Sequence, residues 1–269
     1  MRIISAGEIL WDIFPDAEHL GGAPFNFAVH AHRLGHEVIF ASAVGDDELG
    51  RRALARMADL GLSTKFVRVI PDQPTGTVTV TFIDGEPDFV IHRPAAYDFL
   101  EIPAIEAEWI YYGTLAPHRA MDRSLWSRLI LPFQRRFYDM NLRRDSYSRA
   151  LVDELMRAAD VVKMNERELA FTGRTLRQLR DEYHLQACCV TRSERGCAIL
   201  VGDDYAEVAA HPTDPVDPVG AGDAFAAAFL HGLNQGWPAA GIGDFANALG
   251  ALVVSRPGAI PDWSPDELG

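Results

Sequence analysis

Apolar residues along this chain come in short runs that alternate with amphipathic segments. The apolar runs have the length of buried strands, and they lie at 2–10, 37–44, 109–112, 137–140, 161–164, 187–191 and 197–201. Segments with helical periodicity or helix start and stop signals lie at 24–34, 46–60, 124–133, 148–159, 176–182 and 242–255, with a further helix after Asp223. Strands alternating with helices are typical of a parallel sheet covered by helices. The pattern therefore predicts one α/β domain spanning residues 1–269.

The alternation breaks at 75–83, where Thr alternates with apolar residues. Asp84-Gly85 is a hairpin signal, and 89–92 returns as a strand. An antiparallel ribbon inserted in an α/β chain is often a flap over a site. We expect a small β-lid from about 11–20 and 73–96, with a homodimer contact through the lid as a further role for the ribbon.

Composition limits the classes of partner. The net charge is −13, which argues against nucleic acid and anionic membranes as partners. No apolar run reaches the length of a membrane span, and the N-terminus lacks the pattern of a signal peptide. The three cysteines lack metal-binding or redox spacing. We expect a cytoplasmic protein that acts on small molecules.

The most informative stretch is 217–225, Asp-Pro-Val-Gly-Ala-Gly-Asp-Ala-Phe. Gly220, Ala221 and Gly222 allow a tight turn and a close approach of the backbone to a ligand. The helix that follows directs unpaired N–H groups at that ligand, which predicts an anion site. Asp223 would repel an anion, so it makes more sense as a base for a hydroxyl that attacks the anion. A carboxylate of ordinary pKa suffices for that role, and the helix N-terminus would keep it ionised. The alternative is a simple N-cap.

Two blocks together resemble the signatures of the PfkB (ribokinase-like) carbohydrate kinase family. They are Gly21–Ala28, with Gly35 and Gly45 at the family's spacing, and Asp217–Phe225. The segments 165–168, 246–251 and 256–259 are similar to further elements of that family, so the resemblance covers essentially the whole chain. It implies a three-layer α/β fold with a β-lid, and ATP-dependent phosphorylation of a primary sugar hydroxyl with Mg²⁺.

The resemblance also implies roles for residues on the phosphate side. Asp223 would be the base, and Gly220, Ala221 and Gly222 would supply N–H groups to the transferred phosphoryl group. Asn165 and Glu168 would orient the Mg²⁺ waters and the phosphates, Glu168 acting through water; the alternative is an N-capping box. Lys163 could neutralise phosphate, although a lysine at a strand end is usually solvated.

On the sugar side, the resemblance implicates Asp12, Gly22 and Asn26. Each also has a simpler explanation, as a turn residue or a helix cap. Arg143 ends an Asp-x-Asn-x-Arg element similar to that of fructokinases and 2-keto-3-deoxygluconate kinases, and it would meet substrate or ATP phosphate; a surface ion pair is the alternative. Candidates for lining ATP are Thr191, Gly196 and Asn247, of which Asn247 could instead cap a helix or face solvent.

The chain departs from the family pattern in two places. Ser193 stands where a glycine is usual in the nucleotide loop. Pro218 and Val219 replace the Thr-Thr of many members, which would alter a monovalent-cation (K⁺) site beside Asp217.

The elements at 7–12, 21–24 and 139–143 are more similar to fructokinases than to ribokinases, so fructose is the leading substrate. Ribose, 2-keto-3-deoxygluconate and nucleosides remain alternatives, as does a non-catalytic sugar-binding protein on the same fold. A phosphosugar substrate would need an additional cationic cluster, and the sequence shows none.

Overall fold

The computed structural model describes residues 1–83, 86–119, 133, 135–144 and 146–268. The expected hairpin turn at 84–85 and nearly all of the helix expected at 124–133 lie outside the described residues. Within the described part of the chain, no helix combines the length and the apolar character that crossing a membrane requires.

The strands form two sheets. In chain order they are β1 (Arg2–Ala6), β2 (Leu10–Ile13), β3 (Glu18–Gly21), β4 (Glu37–Gly45), β5 (Val67–Ile70), β6 (Gly76–Ile83), β7 (Glu86–His92), β8 (Trp109–Tyr112), β9 (Arg135–Asp139), β10 (Val161–Asn165), β11 (Ala187–Thr191), β12 (Cys197–Val201) and β13 (Asp204–Val208). The large sheet has the order β13-β12-β11-β10-β9-β8-β1-β4-β5. It is parallel from β5 to β11, and β12 and β13 are antiparallel additions at one edge.

Helices cover both faces of the large sheet. The described helices are α1 (Ala23–Arg33), α2 (Glu48–Asp59), α3 (Leu115–Arg119), α4 (Arg149–Ala158), α5 (Glu166–Thr172), α6 (Leu176–Tyr183), α7 (Ala221–Asn234) and α8 (Ala239–Val254). Successive side chains of a strand point to opposite faces. Tyr111 therefore joins the core under α1, α2, α7 and α8, whereas Tyr112 joins the core under α4 and α6. This arrangement confirms the predicted three-layer α/β fold.

The small sheet has the order β3-β2-β6-β7. It lies within the two segments, about 11–20 and 73–96, in which the sequence predicts a lid. β2 pairs with β6 in parallel, whereas β3 pairs with β2 and β7 pairs with β6 in antiparallel fashion. Residues far apart in the chain therefore form one mixed sheet. Closure of this sheet over a ligand stays a prediction.

Three strands have no clear signal in the sequence, namely β3, β5 and β13. All three are short edge strands, and their burial patterns contain few buried residues. A strand with most of its side chains exposed lacks the run or alternation of apolar residues on which sequence reasoning depends.

Candidate active site

The site lies where the parallel strands end. Glu8 follows β1, Asp139 ends β9 and Asn165 ends β10, and these strands run in the same direction. The carboxyl ends of parallel strands are the usual place for a ligand in open α/β sheets. The N-termini of α1 and α7 meet at this edge, because Asn26 of α1 donates a hydrogen bond of 2.8 Å from Nδ2 to Oδ2 of Asp223 on α7.

The turn before α7 is built to leave N–H groups free. Gly220 has φ of 79°, and a Cβ there would clash with Ala259, so a glycine is required. The N–H groups of Asp223 and Ala224 both donate to the carbonyl of Gly220, and that of Ala221 makes only a long contact of 3.4 Å with Pro218. Within the described part of the chain, the N–H groups of Gly220 and Gly222 have no acceptor. They are the donors available to an anion at this helix N-terminus.

Asp223 is half-buried beside these donors. Burial raises the pKa of Asp223 to about 6, against the opposing effects of the Lys163 charge and the Asn26 hydrogen bond. The pKa of Asp223 thus lies above the ordinary value that would suffice for a base, because burial disfavours the charged form. At neutral pH the carboxylate is still mostly ionised, and its proton affinity is closer to what a general base requires.

Lys163 lies under the same turn. Its Nζ is 3.0 and 3.1 Å from the two carboxylate oxygens of Asp139, which also accepts a hydrogen bond of 2.9 Å from the hydroxyl of Tyr111. A Cβ on Gly222 would come to 3.3 Å from the Lys163 ammonium. The expectation of a solvated lysine was wrong: β10 is a central strand covered on both faces, and Lys163 is buried.

Asp12 lies on β2, with its Oδ2 next to Gly21 of the glycine turn that precedes α1. Burial raises the pKa of Asp12 to about 6, while the charges of Arg143 and His19 lower it. The exposed Arg143 also lowers the pKa of Asp223, so its guanidinium lies within electrostatic reach of both carboxylates. Among the described residues, Arg143 makes no ion pair of the kind that the alternative interpretation required.

Gly22 caps α1 with φ of 113°, a left-handed conformation that favours glycine. A Cβ at Gly22 would collide with the carbonyl of Glu8. Because Gly22 has no side chain, the backbone of this turn can pack directly against the backbone that follows β1. The structure brings Asp12, Gly22, Asn26, Arg143 and Asp223 to one region, and their roles toward a sugar stay predictions.

Asn165 and Glu168 form the capping box that was the alternative interpretation. Asn165 Oδ1 accepts from the N–H of Glu168 at 3.0 Å, and Glu168 Oε2 accepts from the N–H of Asn165 at 2.8 Å. Glu168 Oε1 accepts from the N–H of Leu142 at 2.7 Å. Glu168 is buried, and burial raises its pKa. Each carboxylate oxygen keeps a second lone pair, so the role toward a metal-bound water stays a prediction.

The expected nucleotide residues lie around β11 and β12. Ser193 has φ of 52°, so the serine keeps the left-handed backbone that a glycine would adopt more easily. Gly196 has φ of 85° and leaves no room for a Cβ against Val208. Asn247 is buried, and its Nδ2 donates to the carbonyls of Val208 and Ala209 at 3.2 and 2.9 Å. Gly196 and Asn247 thus hold the end of β13, and their contact with nucleotide stays a prediction, as does that of the half-buried Thr191.

Asp217 joins two loops. Its Oδ1 accepts from the N–H of Val219, and its Oδ2 from the N–H of Gly258, each at 3.0 Å. No group of three or more His, Cys, Asp or Glu side chains within the described residues is arranged to hold a metal ion. The monovalent-cation role of Asp217 stays a prediction.

A buried histidine connects these loops to α1. The ring Nε2 of His30 is 3.0 Å from the carbonyl oxygen of Ala259, and Trp263 donates from Nε1 to His30 Nδ1, also at 3.0 Å. Burial lowers the pKa of His30 to about 4, so the ring is neutral and donates to Ala259. Ala259 is the residue that crowds Gly220.

Two residues at this site were missed from the sequence. Glu8 is 4% exposed and Tyr97 is 0% exposed, and among the described residues both have side-chain oxygens without a hydrogen-bond partner. The available signal was an acidic residue inside the apolar run at 2–10. A charged residue at that point of a parallel sheet is costly unless it meets a partner or a ligand.

Comparison with known proteins identifies the family. A model of the pfkB family carbohydrate kinases matches residues 16–266. A fructokinase from Klebsiella pneumoniae is 30% identical, with 96% of this chain and 95% of the relative covered. The structure of a fructokinase from Vibrio cholerae, in fructose, ADP and calcium ion bound form, superposes with a TM-score of 0.86 at 27% identity, covering 99% of this chain and 97% of the other. An aminoimidazole riboside kinase from Salmonella enterica shares the fold, with a TM-score of 0.84 at 23% identity and coverage of 100% and 98%.

The chain belongs to the pfkB family of carbohydrate kinases. It is accordingly an ATP-dependent carbohydrate kinase. The question that follows is which sugar it accepts.

Proposed function

We propose that the protein transfers the γ-phosphoryl group of ATP to a primary hydroxyl of fructose. The observation that carries the proposal is Asp223, hydrogen-bonded to Asn26 at 2.8 Å and next to the free N–H groups of Gly220 and Gly222. A base and an anion site side by side are what phosphoryl transfer to an alcohol requires. The names of the relatives support fructose, since the Klebsiella pneumoniae and Vibrio cholerae proteins are fructokinases.

In this proposal Asp223 accepts the proton of the attacking hydroxyl. The N–H groups of Gly220 and Gly222 donate to the oxygens of the transferred phosphoryl group, where negative charge must be stabilised. Asp12 accepts hydrogen bonds from sugar hydroxyls, and Arg143 lies near enough to interact with the sugar or with a phosphate oxygen. Lys163 sits beneath Gly222 and contributes a positive charge to the floor of the phosphate site.

Mg²⁺ would neutralise the phosphates, held chiefly by their oxygens and by water. A site with few protein ligands fits the described residues, in which no cluster of three ligating side chains occurs. Glu168 retains free lone pairs that could accept from a metal-bound water. A potassium ion near Asp217 is a further part of the proposal.

The substrate is tested by measuring ADP release in a coupled assay over a panel of sugars. We expect fructose to give the highest kcat/KM, above ribose, 2-keto-3-deoxygluconate and nucleosides. A different preferred sugar would correct the substrate and keep the reaction. If no sugar raises ADP release above the background rate, the result would instead support a non-catalytic sugar-binding protein.

Replacing Asp12 with alanine should damage sugar binding selectively. Each hydrogen bond from a hydroxyl to the carboxylate contributes on the order of 1.5–3 kcal/mol, so KM for the sugar should rise by about tenfold to a hundredfold per lost bond. KM for ATP should change little. Asp16→Ala is a matched control, because Asp16 is an exposed acid four residues along the chain. An unchanged KM for the sugar in Asp12→Ala would remove this residue from the site.

The small sheet should close over the sugar. β6 and β7 belong to a four-stranded sheet, and we expect a ligand or a partner subunit that contacts this sheet to slow the exchange of its amides further. Hydrogen exchange should show protection of the amides of 77–83 when sugar binds, while amides near Asn247 respond to ATP. Protection on raising the protein concentration would point to the homodimer contact instead. If neither sugar nor concentration slows exchange at 77–83, the sheet is not a lid.

A further inference from the structure

Glu8 is a buried acid for which the fold provides too few partners. It lies two residues after the end of β1 and is 4% exposed, and among the described residues its Oε2 has no hydrogen-bond partner. A buried carboxyl group with an unsatisfied oxygen destabilises a protein. Such a residue calls for an explanation other than stability, and a ligand that supplies the missing partner is one.

The surroundings of Glu8 are those of the sugar region. A Cβ on Gly22 would collide with the carbonyl of Glu8, and a Cβ on Gly76 would meet both the ring of Tyr97 and the carbonyl of Ile9, so Glu8 and Tyr97 lie close to the glycine turn before α1. Within the described part of the chain, the phenolic hydroxyl of Tyr97 also lacks a hydrogen-bond partner. The third unsatisfied atom of this region among the described residues is Oδ1 of Asn26, whose Nδ2 donates to Asp223.

The three unsatisfied atoms come from separate elements of the fold. Asn26 belongs to α1, Glu8 to the end of β1, and Tyr97 to the 3₁₀ helix Ala96–Phe99 after β7. Segments that are far apart in the sequence thus bring three unsatisfied polar atoms to the region around the glycine turn before α1. Unpaired buried polar groups in one region are expected where a polar ligand displaces water and completes the hydrogen bonds.

We propose that Glu8 and Tyr97 form a hydroxyl-binding subsite at the floor of the sugar pocket, separate from the one at Asp12, and that this subsite selects an uncharged sugar. The inference rests on the proposed kinase function and deepens it. Glu8, Asp12 and Asp223 bring three acids to the region. A sugar acid or a phosphosugar would meet repulsion that Arg143 offsets only in part, because Lys163 and Arg93 are already paired with Asp139 and Asp98. A sugar hydroxyl can donate to Glu8 and accept from Tyr97.

Burial raises the pKa of Glu8 to about 7. The acid is therefore present in both forms near neutral pH. A hydroxyl group can accept from the protonated form or donate to the ionised one, whereas a carboxylate ligand could bind only the protonated form. This property also favours a neutral polyol.

Glu8→Met tests the subsite, because methionine fills a similar volume without polar atoms. We expect KM for the sugar to rise about tenfold to a hundredfold and KM for ATP to change less than about twofold. Without sugar, the variant should melt at a higher temperature than wild type, since the unsatisfied carboxyl group is gone. Tyr97→Phe should raise KM for the sugar in the same direction. Tyr183→Phe is the matched control: its hydroxyl binds Asp153 at 2.7 Å, and its loss should leave both KM values unchanged.

Monodeoxy analogues of the accepted sugar identify the hydroxyl group concerned. One analogue should bind wild type poorly yet bind Glu8→Met no worse than the parent sugar does. An unchanged KM for the sugar in Glu8→Met overturns the proposal. A melting temperature below that of wild type would also overturn it if each analogue lost as much affinity with Glu8→Met as with wild type. That result is expected of a residue with only a structural role. If Glu8→Met does not fold, the same analogue comparison with Glu8→Gln and Tyr97→Phe decides.

These outcomes are distinct from failure of the proposed function. Wild-type protein without sugar-dependent ADP release would refute the kinase proposal itself. An active wild type whose sugar KM ignores Glu8 and Tyr97 would refute only the subsite.

Discussion

Asp223→Asn should fold like the wild-type protein and lose phosphoryl transfer. The amide keeps the size of the side chain but cannot take a proton from the attacking hydroxyl. General-base assistance contributes on the order of 10²–10⁴-fold in rate, and we expect kcat to fall by that factor. KM for the sugar should move much less, because Asn26 still has a partner at that position.

The pH dependence gives a second readout for Asp223. Its pKa in the protein without substrate is raised to about 6, and the base must be unprotonated to act, so kcat/KM should rise with pH through about 6 and then level off. This acid limb should disappear from the residual activity of Asp223→Asn. Asp214→Asn is a matched control, because Asp214 is an exposed acid in the loop before the same helix. Retention of more than about a tenth of kcat by Asp223→Asn would refute its role as the base.

Lys163→Met should destabilise the fold more than any surface change. It leaves Asp139, which is 0% exposed, without its cation, and removing one partner of a buried ion pair costs about 3–5 kcal/mol. Urea unfolding at equilibrium should show this loss as a lower midpoint. The double variant Lys163→Met, Asp139→Asn should recover much of it, because the uncompensated charge is then gone.

Arg51→Met is the control for Lys163→Met. Arg51 pairs with Glu48 at 3.1 Å on the surface, and both side chains are more than half exposed. Exposed pairs at this spacing contribute about 0.5 kcal/mol or less. If Lys163→Met lost less than about 1 kcal/mol, the pair with Asp139 would not be the buried interaction that the distances indicate.

The sequence predicted interior elements well and edge elements poorly. The bounds of β8, β11 and β12 are those expected, because each is an apolar run of four or five residues ended by turn-forming or polar residues. β3, β5 and β13 were missed because an edge strand needs little apolar surface. The start of α5 was predicted, from the capping-box spacing at the turn into a helix, but its length was not, and the structure shows a helix over Glu166–Thr172.

The candidate site was predicted where neighbouring residues in the sequence share a task. In the turns at 220–223 and 21–26, the residues that determine the backbone geometry are neighbours in the sequence, so the sequence indicates both turns. Lys163 and Asp139 are 24 residues apart, and their pairing follows only from the parallel register of β9 and β10. Glu8 was missed for a related reason: its significance lies in an absent partner, which no spacing of residues can indicate.

The contact of His30 with Ala259 has a consequence for how the two substrates are aligned. Asn26 and His30 lie one turn apart on α1, and Ala259 lies against Gly220 at the start of α7. In the proposed reaction, the loop around Ala259 would act as a spacer that sets the separation between α1, on the acceptor side, and α7, on the donor side. A small shift of that loop would then move the acceptor hydroxyl off the line of attack without changing either binding site. The reaction geometry at Asp223 would thus depend in part on how Ala259 packs against Gly220 and His30.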